Sequence, residues 1–97
     1  TENGCAYDDG PDSSDVVNDQ RRLEYYRSHL SSLGNAISQG APVKGYFAWS
    51  LMDNFEWALG YEKRFGIVYV DFKTQKRTIK NSGKWYAEVI KNKGANL

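Results

Sequence analysis

The sequence has little of several features that mark common classes of protein. A single cysteine, Cys5, has no partner for an internal disulfide, which excludes a disulfide-stapled secreted mini-domain. Basic and acidic side chains nearly balance, 13 against 12, without a basic block, so nucleic acid and the membrane surface are set aside as partners. No apolar run approaches the ~20 residues of a transmembrane helix. What remains is one domain's length of chain, 97 residues, whose compartment stays open with the cytoplasm favoured.

One stretch is rich in both aromatic and acidic residues. Residues 46–61, YFAWSLMDNFEWALGY, hold two tryptophans, two carboxylates, two phenylalanines and two tyrosines. Polar groups between Trp49 and Trp57 are costly to bury unless something bonds to them. A sugar satisfies both kinds of residue, because an indole covers its apolar C–H face while carboxylates bind its hydroxyls. The stretch therefore favours a sugar site, and an aromatic core beside a polar loop stays open as the alternative.

A long amphipathic helix precedes this stretch. Residues 1–17 carry no apolar period and indicate a loop. Over Asn18–Gln39, apolar residues recur at spacings of three and four, which predicts a helix. Asn18 or Asp19 is suited to cap its start, and Gly40 follows its end. The apolar stripe consists of Leu23, Tyr26, Leu30, Leu33 and Ile37.

A helix, a short turn and a buried strand together indicate an α/β fold. Val43–Trp49 is nearly all apolar or aromatic, which predicts a strand buried on both faces, as in a parallel sheet. The stretch Ser50–Arg64 is then a loop at the carboxyl end of that strand, where barrel folds keep their chemistry. This order of elements is typical of an α/β barrel or a doubly wound sheet.

The last third of the chain predicts a hairpin and a second helix. Phe65–Phe72 is rich in β-forming residues and turns back to a partner around Arg77–Ile79. Ser82 offers an N-cap for a helix over Lys84–Asn92. One strand of the parallel type does not close a sheet, so the sequence predicts a piece of a larger domain.

Two blocks give the chain a family resemblance. Thr1–Gly4 (TENG) is followed, 47 positions after Glu2, by Trp49–Trp57 (WSLMDNFEW). Together they resemble the C-terminal part of glycoside hydrolase family 1, the β-glucosidases and their relatives, which share a (β/α)8 TIM barrel. The resemblance implies that residues 1–97 are the C-terminal segment of a single TIM-barrel catalytic domain, incomplete on its own. This segment comprises the end of strand 7, helix 7, strand 8, a hairpin and helix 8. Other matching positions are Gly45-Tyr46, Lys63–Ile67, Tyr69–Asp71, Arg77, Lys80, Ser82 and Trp85-Tyr86.

The resemblance also implies a role for each matching site residue. Glu2 is expected to be the nucleophile of a retaining hydrolysis, forming a covalent glycosyl-enzyme without any metal or cofactor. Trp49 is expected to form the floor of the glycone subsite. Glu56 is expected to bind the 4- and 6-hydroxyls, Trp57 to donate its indole N–H to the 3-hydroxyl, and Phe65 to line the same pocket.

The neighbouring residues and the charge of Glu56 refine this expectation. A carboxylate at Glu56 repels a phosphate, which favours an unphosphorylated β-glucoside or oligosaccharide as substrate, with the exact sugar and aglycone open. Leu59 and Tyr61 are expected at the mouth of the pocket. The residues expected to shape loops are Asn3, Asp53 and Asn54.

The chain departs from the family pattern in lacking the acid/base residue and the Arg, His, Asn and Tyr that surround the nucleophile in the family. It contains no Asn-Glu-Pro motif, which in the family carries the acid/base glutamate. We therefore expect it to supply the nucleophile and half the glycone pocket, and to be inactive alone. The expected partner is the missing N-terminal part of the barrel, or a second copy that covers the exposed surface. The alternatives are a non-catalytic sugar-binding module, a self-associating structural fragment, and a relative that lost the acid/base residue.

Overall fold

The computed structural model describes residues 2–54, 63–95 and 97. Its elements are helix α1 (Gln20–Ser38), antiparallel strands β1 (Val68–Val70) and β2 (Arg77–Ile79), and helix α2 (Asn81–Lys91). The two helices pack against each other, and α2 also contacts β2. Within the described ranges, no helix is both long enough and apolar enough to cross a bilayer. The long helix, the hairpin and the final helix predicted from the sequence are all present.

The apolar stripe of α1 forms much of the core. Leu23, Tyr26 and Leu30 are buried, and the backbone beyond the helix turns at Gly40, where φ is +102°. That left-handed conformation suits a glycine, which has no Cβ to clash. Ile37, which was predicted to belong to the same buried face, is 47% exposed. The stripe therefore holds for the first three turns, and the end of α1 stands in solvent.

The predicted buried strand at Val43–Trp49 is wrong for this chain. Its residues are extended but make only one bridge in the described part of the chain, a parallel pairing of Ala48 with Asn3. Phe47 is 72% exposed and Trp49 43% exposed. A strand is buried on both faces only when neighbouring strands and covering helices are present. The described residues supply one short partner segment, at Asn3, so the apolar residues of Val43–Trp49 are not covered by neighbouring strands among them.

The helix caps differ from the prediction in an informative way. Asp19 takes the N-cap position of α1, yet its side chain makes no cap bond there. The side chain of Asp19 bonds to α2 instead: the backbone N–H of Ser82 donates to Asp19 Oδ1 at 2.9 Å, and the Ser82 hydroxyl donates to Oδ2. Helix α2 starts at Asn81 and not at Lys84. Ser82 therefore lies inside α2 and is capped, and the carboxylate that satisfies its N–H comes from the start of the other helix.

Candidate active site

Asn3 pairs the segment that carries Glu2 with the segment that carries Trp49. The Asn3 N–H donates to the Phe47 carbonyl at 3.0 Å, and the Trp49 N–H donates to the Asn3 carbonyl at 2.7 Å. These two bonds form one step of a parallel ladder. Glu2, the residue before Asn3, is exposed. The expected nucleophile and the expected glycone floor thus lie at the ends of two adjacent, paired segments.

The backbone at Gly4 approaches Trp49 so closely that no side chain fits. A Cβ on Gly4 would stand 1.9 Å from the Trp49 carbonyl oxygen and 2.9 Å from its carbon. Real Cβ contacts this short do not occur, so any larger residue forces the two segments apart. Gly4 is therefore required here for close approach of two backbones rather than for a turn.

Asn3 is fixed through its side chain as well as its backbone. The Tyr46 hydroxyl donates to Asn3 Oδ1 at 2.7 Å, and Asn3 Nδ2 donates to the Tyr25 hydroxyl at 3.1 Å. Burial, with a smaller effect from neighbouring Tyr86, raises the pKa of Tyr46 above its ordinary value, so this donor keeps its proton at neutral pH. The Asn3 amide is therefore bonded through both its oxygen and its nitrogen, which ties the start of the chain to α1 and to the segment around Tyr46.

Trp49 is anchored to the helical layer through its main chain. The Tyr26 hydroxyl donates to the Trp49 carbonyl oxygen at 3.0 Å, and the Tyr26 ring is fully buried. Burial raises the pKa of Tyr26 strongly, which keeps this donor protonated across the physiological range. The Trp49–Ser50 peptide is cis. Because the anchor acts on the carbonyl, the 43%-exposed indole stays available for a ligand.

Phe65 is held beside the end of the Trp49 segment. The Ser50 N–H donates to the Phe65 carbonyl at 3.0 Å, and the Ile67 N–H donates back to the Ser50 carbonyl at 2.9 Å. Phe65 itself is half-buried. The geometry therefore joins the segments of three predicted site residues, Glu2, Trp49 and Phe65. The other two, Glu56 and Trp57, together with Leu59 and Tyr61, lie outside the described residues.

A cleft of about 520 Å³ is bordered by Glu2, by residues of α1 and by the segment around Tyr46. Neither Trp49 nor Phe65 lines it, so it is not the glycone pocket that the resemblance implies. Among the described residues, no backbone group bonds to Gly45, which borders this cleft. The lining residues are Glu2, Asn3, His29, Ser32, Leu33, Gly45, Tyr46 and Phe47.

Sequence reasoning missed a buried chain of alternating charges beneath the site. In spatial order it runs through six side chains, three anionic and three cationic, which we call the charge chain: Asp19, Arg22, Asp9, Lys80, Asp53 and Arg64. The side chains of Arg22, Lys80 and Asp53 are fully buried, and those of Asp9 and Arg64 are only 14% and 15% exposed. Buried charges are tolerated when each has an opposite partner and its hydrogen bonds are made. The set is neutral as a whole.

The contacts along the charge chain are short and partly shared with the backbone. Arg22 Nη1 lies 2.7 Å from Asp19 Oδ2 and also contacts Asp9, while its Nη2 donates to the Arg64 carbonyl at 2.6 Å. Lys80 Nζ lies 2.9 Å from Asp53 Oδ1 and 3.3 Å from Asp9 Oδ1. One sequence signal indicated a buried charge: Arg22 stands four residues before Tyr26, which places a charged residue on the apolar face of α1.

Burial affects the two fully buried cations of the charge chain in different ways. Burial, together with the nearby positive charge of Arg22, lowers the pKa of Lys80, although hydrogen bonding to Asp53 opposes the effect. For Arg22, burial also acts to lower the pKa, but hydrogen bonds to Asp9 and Asp19 outweigh it, so its pKa is raised. Arg22 therefore stays protonated, whereas Lys80 loses its proton more readily than an exposed lysine does, because its pKa is lowered.

Comparison with known proteins places these features in a family. The family model for glycosyl hydrolase family 1 matches residues 1–95. The 1,4-β-D-glucan glucohydrolase of Thermotoga neapolitana is 61% identical over 94 residues, covering 97% of this chain and 21% of that protein. The 6-phospho-β-galactosidase of Staphylococcus epidermidis is 52% identical over 94 residues, covering 96% and 20%.

The fold comparison agrees with the sequence comparison. The solved structure of the family 1 β-glucosidase from Thermotoga maritima is 57% identical, with a TM-score of 0.95, over 97% of this chain and 21% of that one. Its complex with glucoimidazole matches equally well. The chain spans about a fifth of the length of the curated relatives it matches. By its match to the family model over residues 1–95, this chain belongs to glycosyl hydrolase family 1.

Proposed function

We propose that the chain supplies the C-terminal part of a retaining β-glycosidase barrel, with Glu2 as nucleophile and Trp49, Glu56, Trp57 and Phe65 as glycone contacts. The observation that carries the proposal is the parallel pairing of Asn3 with Ala48, which sets Glu2 and Trp49 on adjacent segments. In TIM barrels, catalytic residues stand at the carboxyl ends of neighbouring parallel strands. The pairing places a residue with a carboxylate and a residue with an indole on adjacent segments, and a glycone subsite uses both kinds of side chain.

The described elements fit one stretch of such a barrel in order. The segment at Glu2 and Asn3 corresponds to the end of strand 7, α1 to helix 7, and Val43–Trp49 to strand 8, followed by the β1–β2 hairpin and α2 as helix 8. Residues 1–97 are then one segment of a single catalytic domain. Phe47 is exposed, and the Gly45 backbone has no backbone partner among residues 2–54, 63–95 and 97; we propose that further strands complete a closed sheet at these positions. The partner we propose is the rest of the barrel.

The chemistry assigned to Glu2 is displacement at the anomeric carbon. One carboxylate oxygen forms a bond to that carbon while the bond to the leaving-group oxygen breaks, and a second carboxylic acid protonates the leaving group. The second carboxyl group, now a carboxylate, then takes a proton from a water molecule, whose oxygen bonds to the same carbon while the bond to Glu2 breaks and Glu2 leaves as a carboxylate. The second carboxyl must lie about 5–5.5 Å from the first. The sequence has no Asn-Glu-Pro motif to supply it, so the isolated chain is proposed to be inactive.

The experiment that tests this proposal is a segment replacement. This chain replaces the matching region of the Thermotoga maritima β-glucosidase, and hydrolysis of an aryl β-glucoside is followed. We expect turnover by the replaced enzyme, and its loss by several orders of magnitude in Glu2→Ala, because the covalent route disappears. Glu88→Ala, at an exposed position on α2, is the matched control and should turn over normally. A normal rate for Glu2→Ala would remove Glu2 from the role.

The substrate class is tested by a pair of substrates. The aryl β-glucoside is compared with its 6-phosphate, because relatives of both kinds match this chain. The acidic side chain of Glu56 predicts that the unphosphorylated substrate has the higher kcat/KM. Preference for the 6-phosphate would overturn that part of the proposal. If the isolated chain binds glucose without any partner, the alternative of a sugar-binding module is favoured instead.

A further inference from the structure

We propose that Lys80 is a positioning residue: through Asp53, its ammonium group sets where the glycone-binding segments lie relative to the helices. The inference rests on the proposed function, because it concerns the residues assigned to the glycone subsite. Among the described residues, no hydrogen bond or ion pair joins Lys80 to Trp49 or to Phe65. Its influence passes through the charge chain.

Lys80 joins three parts of the chain at one buried point. Its Nζ, with no exposed area, bonds Asp53 at 2.9 Å in the segment after Trp49, and Asp9 at 3.3 Å in the N-terminal loop. Its own N–H donates to the Ile67 carbonyl at 3.0 Å, and its carbonyl accepts from the Lys84 N–H in the first turn of α2. A shift of this ammonium group therefore moves α2, the N-terminal loop and the Asp53 segment relative to one another.

Asp53 passes the constraint to the segment that carries Phe65. Its Oδ1 accepts from the Gly66 N–H at 3.0 Å, and its Oδ2 accepts from Arg64 Nη1 at 2.7 Å and from the Val70 N–H at 3.2 Å. Phe65 lies between Arg64 and Gly66, so one carboxylate holds the residues on both sides of it. The Phe65 carbonyl in turn accepts from the Ser50 N–H, next to Trp49.

The energetics favour a geometric role over a stabilising one. Burying an ion pair carries a large desolvation cost for each ion, and a protein with apolar residues of the same volume in place of the pair is often as stable. What an ion pair adds is direction, because Asp53 engages Lys80, Arg64 and two backbone N–H groups at defined angles. An apolar side chain in place of Lys80 would fill the space, but Asp53 would keep only its bonds to Arg64, Gly66 and Val70 and would lose the bond that ties it to the start of α2.

The test uses the segment-replaced enzyme and binding of glucoimidazole by calorimetry. Lys80→Met keeps the unbranched shape and most of the length of the side chain and removes the charge. Asp53→Asn keeps the acceptor for Gly66 and weakens the ionic bonds to Lys80 and Arg64. We expect each to weaken glucoimidazole binding about 10- to 100-fold, since a displacement of about 1 Å costs on that order. Lys80→Arg should recover part of the loss. Lys76→Met, in an exposed pair with Asp15, is the control and should bind normally.

The outcomes separate this inference from the function on which it rests. If Lys80→Met and Asp53→Asn are folded, with lower thermal stability but unchanged glucoimidazole affinity, Lys80 is only structural and the inference is overturned. If Lys80→Met does not fold, the milder Asp53→Asn variant decides by the same criterion. Failure of the proposed function has another signature, namely normal hydrolysis by Glu2→Ala, whatever the Lys80 variants do.

Discussion

The close approach of Gly4 to Trp49 gives a prediction that separates positioning of the site from stability of the fold. In Gly4→Ala the new Cβ would start 1.9 Å from the Trp49 carbonyl oxygen, whereas real Cβ atoms keep at least 3.0 Å. The two segments must therefore separate by about 1.1 Å, the difference between these distances. Neither contact atom belongs to a flexible side chain, so the backbone itself has to move.

The displacement falls on the geometry that the proposed reaction needs. Glu2 is two residues before Gly4, and Trp49 is the proposed glycone floor. A misplacement of about 1 Å at a reacting centre costs on the order of 100-fold in rate. We expect kcat/KM of the segment-replaced enzyme for an aryl β-glucoside to fall about 100-fold in Gly4→Ala, measured at a temperature where the variant remains folded by circular dichroism.

A second glycine supplies the matched control. Gly34 lies inside α1, and a Cβ there would meet nothing within 4 Å. Gly34→Ala should leave kcat/KM unchanged and raise the free energy of unfolding by about 0.5–1 kcal/mol, because alanine is the better helix former. If Gly4→Ala retains normal kcat/KM while folded, the tight Gly4–Trp49 contact does not set the active geometry, and the reasoning fails.

Three further predictions concern the charge chain, the buried tyrosine and the apolar face. In the segment-replaced enzyme, urea unfolding should show Arg22→Met losing about 3–5 kcal/mol, because two buried carboxylates lose their cation, whereas Arg27→Met in an exposed pair should lose at most about 1 kcal/mol. Because the pKa of Tyr26 is raised in the folded state, its contribution to the free energy of unfolding is complete below the unfolded pKa of about 10 and is lost as the pH rises through the folded pKa. In Tyr26→Phe, the free energy of unfolding should therefore fall less steeply at alkaline pH. An unchanged alkaline slope would contradict this. In the isolated chain, sedimentation should show self-association that Phe47→Ser reduces. The control Ile90→Ser, at an exposed position on α2, should not reduce it, and a monomer with a cooperative thermal transition would refute the prediction.

Much of the fold followed from apolar periodicity and turn residues. The stripe from Leu23 to Leu30 predicted α1, and Gly40 marked its end, because these signals are local and depend on one helix face and one backbone dihedral. Val43–Trp49 failed because its burial depends on neighbouring strands. Its apolar sequence fits a strand inside a complete sheet, and only one pairing, at Asn3, is present among the described residues.

The site was predictable where residue chemistry is local and not where it depends on distant contacts. Glu2 and Trp49 were singled out by a family resemblance, and their closeness depends on a ladder between segments more than 40 residues apart, which no local pattern encodes. Asp19 was expected to cap its own helix, but the N–H it serves belongs to Ser82, 63 positions away. The partners of a polar side chain are fixed by tertiary structure, so sequence patterns identify candidates and not pairings.

The charge chain explains why a polar frame lies beneath an aromatic site. In the proposed function Trp49 and Phe65 contact the sugar, so these rings must stay accessible and their segments cannot be fixed by burying the rings in a core. The frame therefore acts on the atoms that a ligand does not use: the Trp49 carbonyl through Tyr26, the N–H of Gly66 through Asp53, and the Arg64 carbonyl through Arg22. Hydrogen bonds and ion pairs suit this task because they are directional, whereas apolar contact is not. Burying six charges costs desolvation free energy, and what it adds is a defined position for these segments. We therefore expect replacement of Lys80 to change the affinity for a glycone more than the free energy of unfolding.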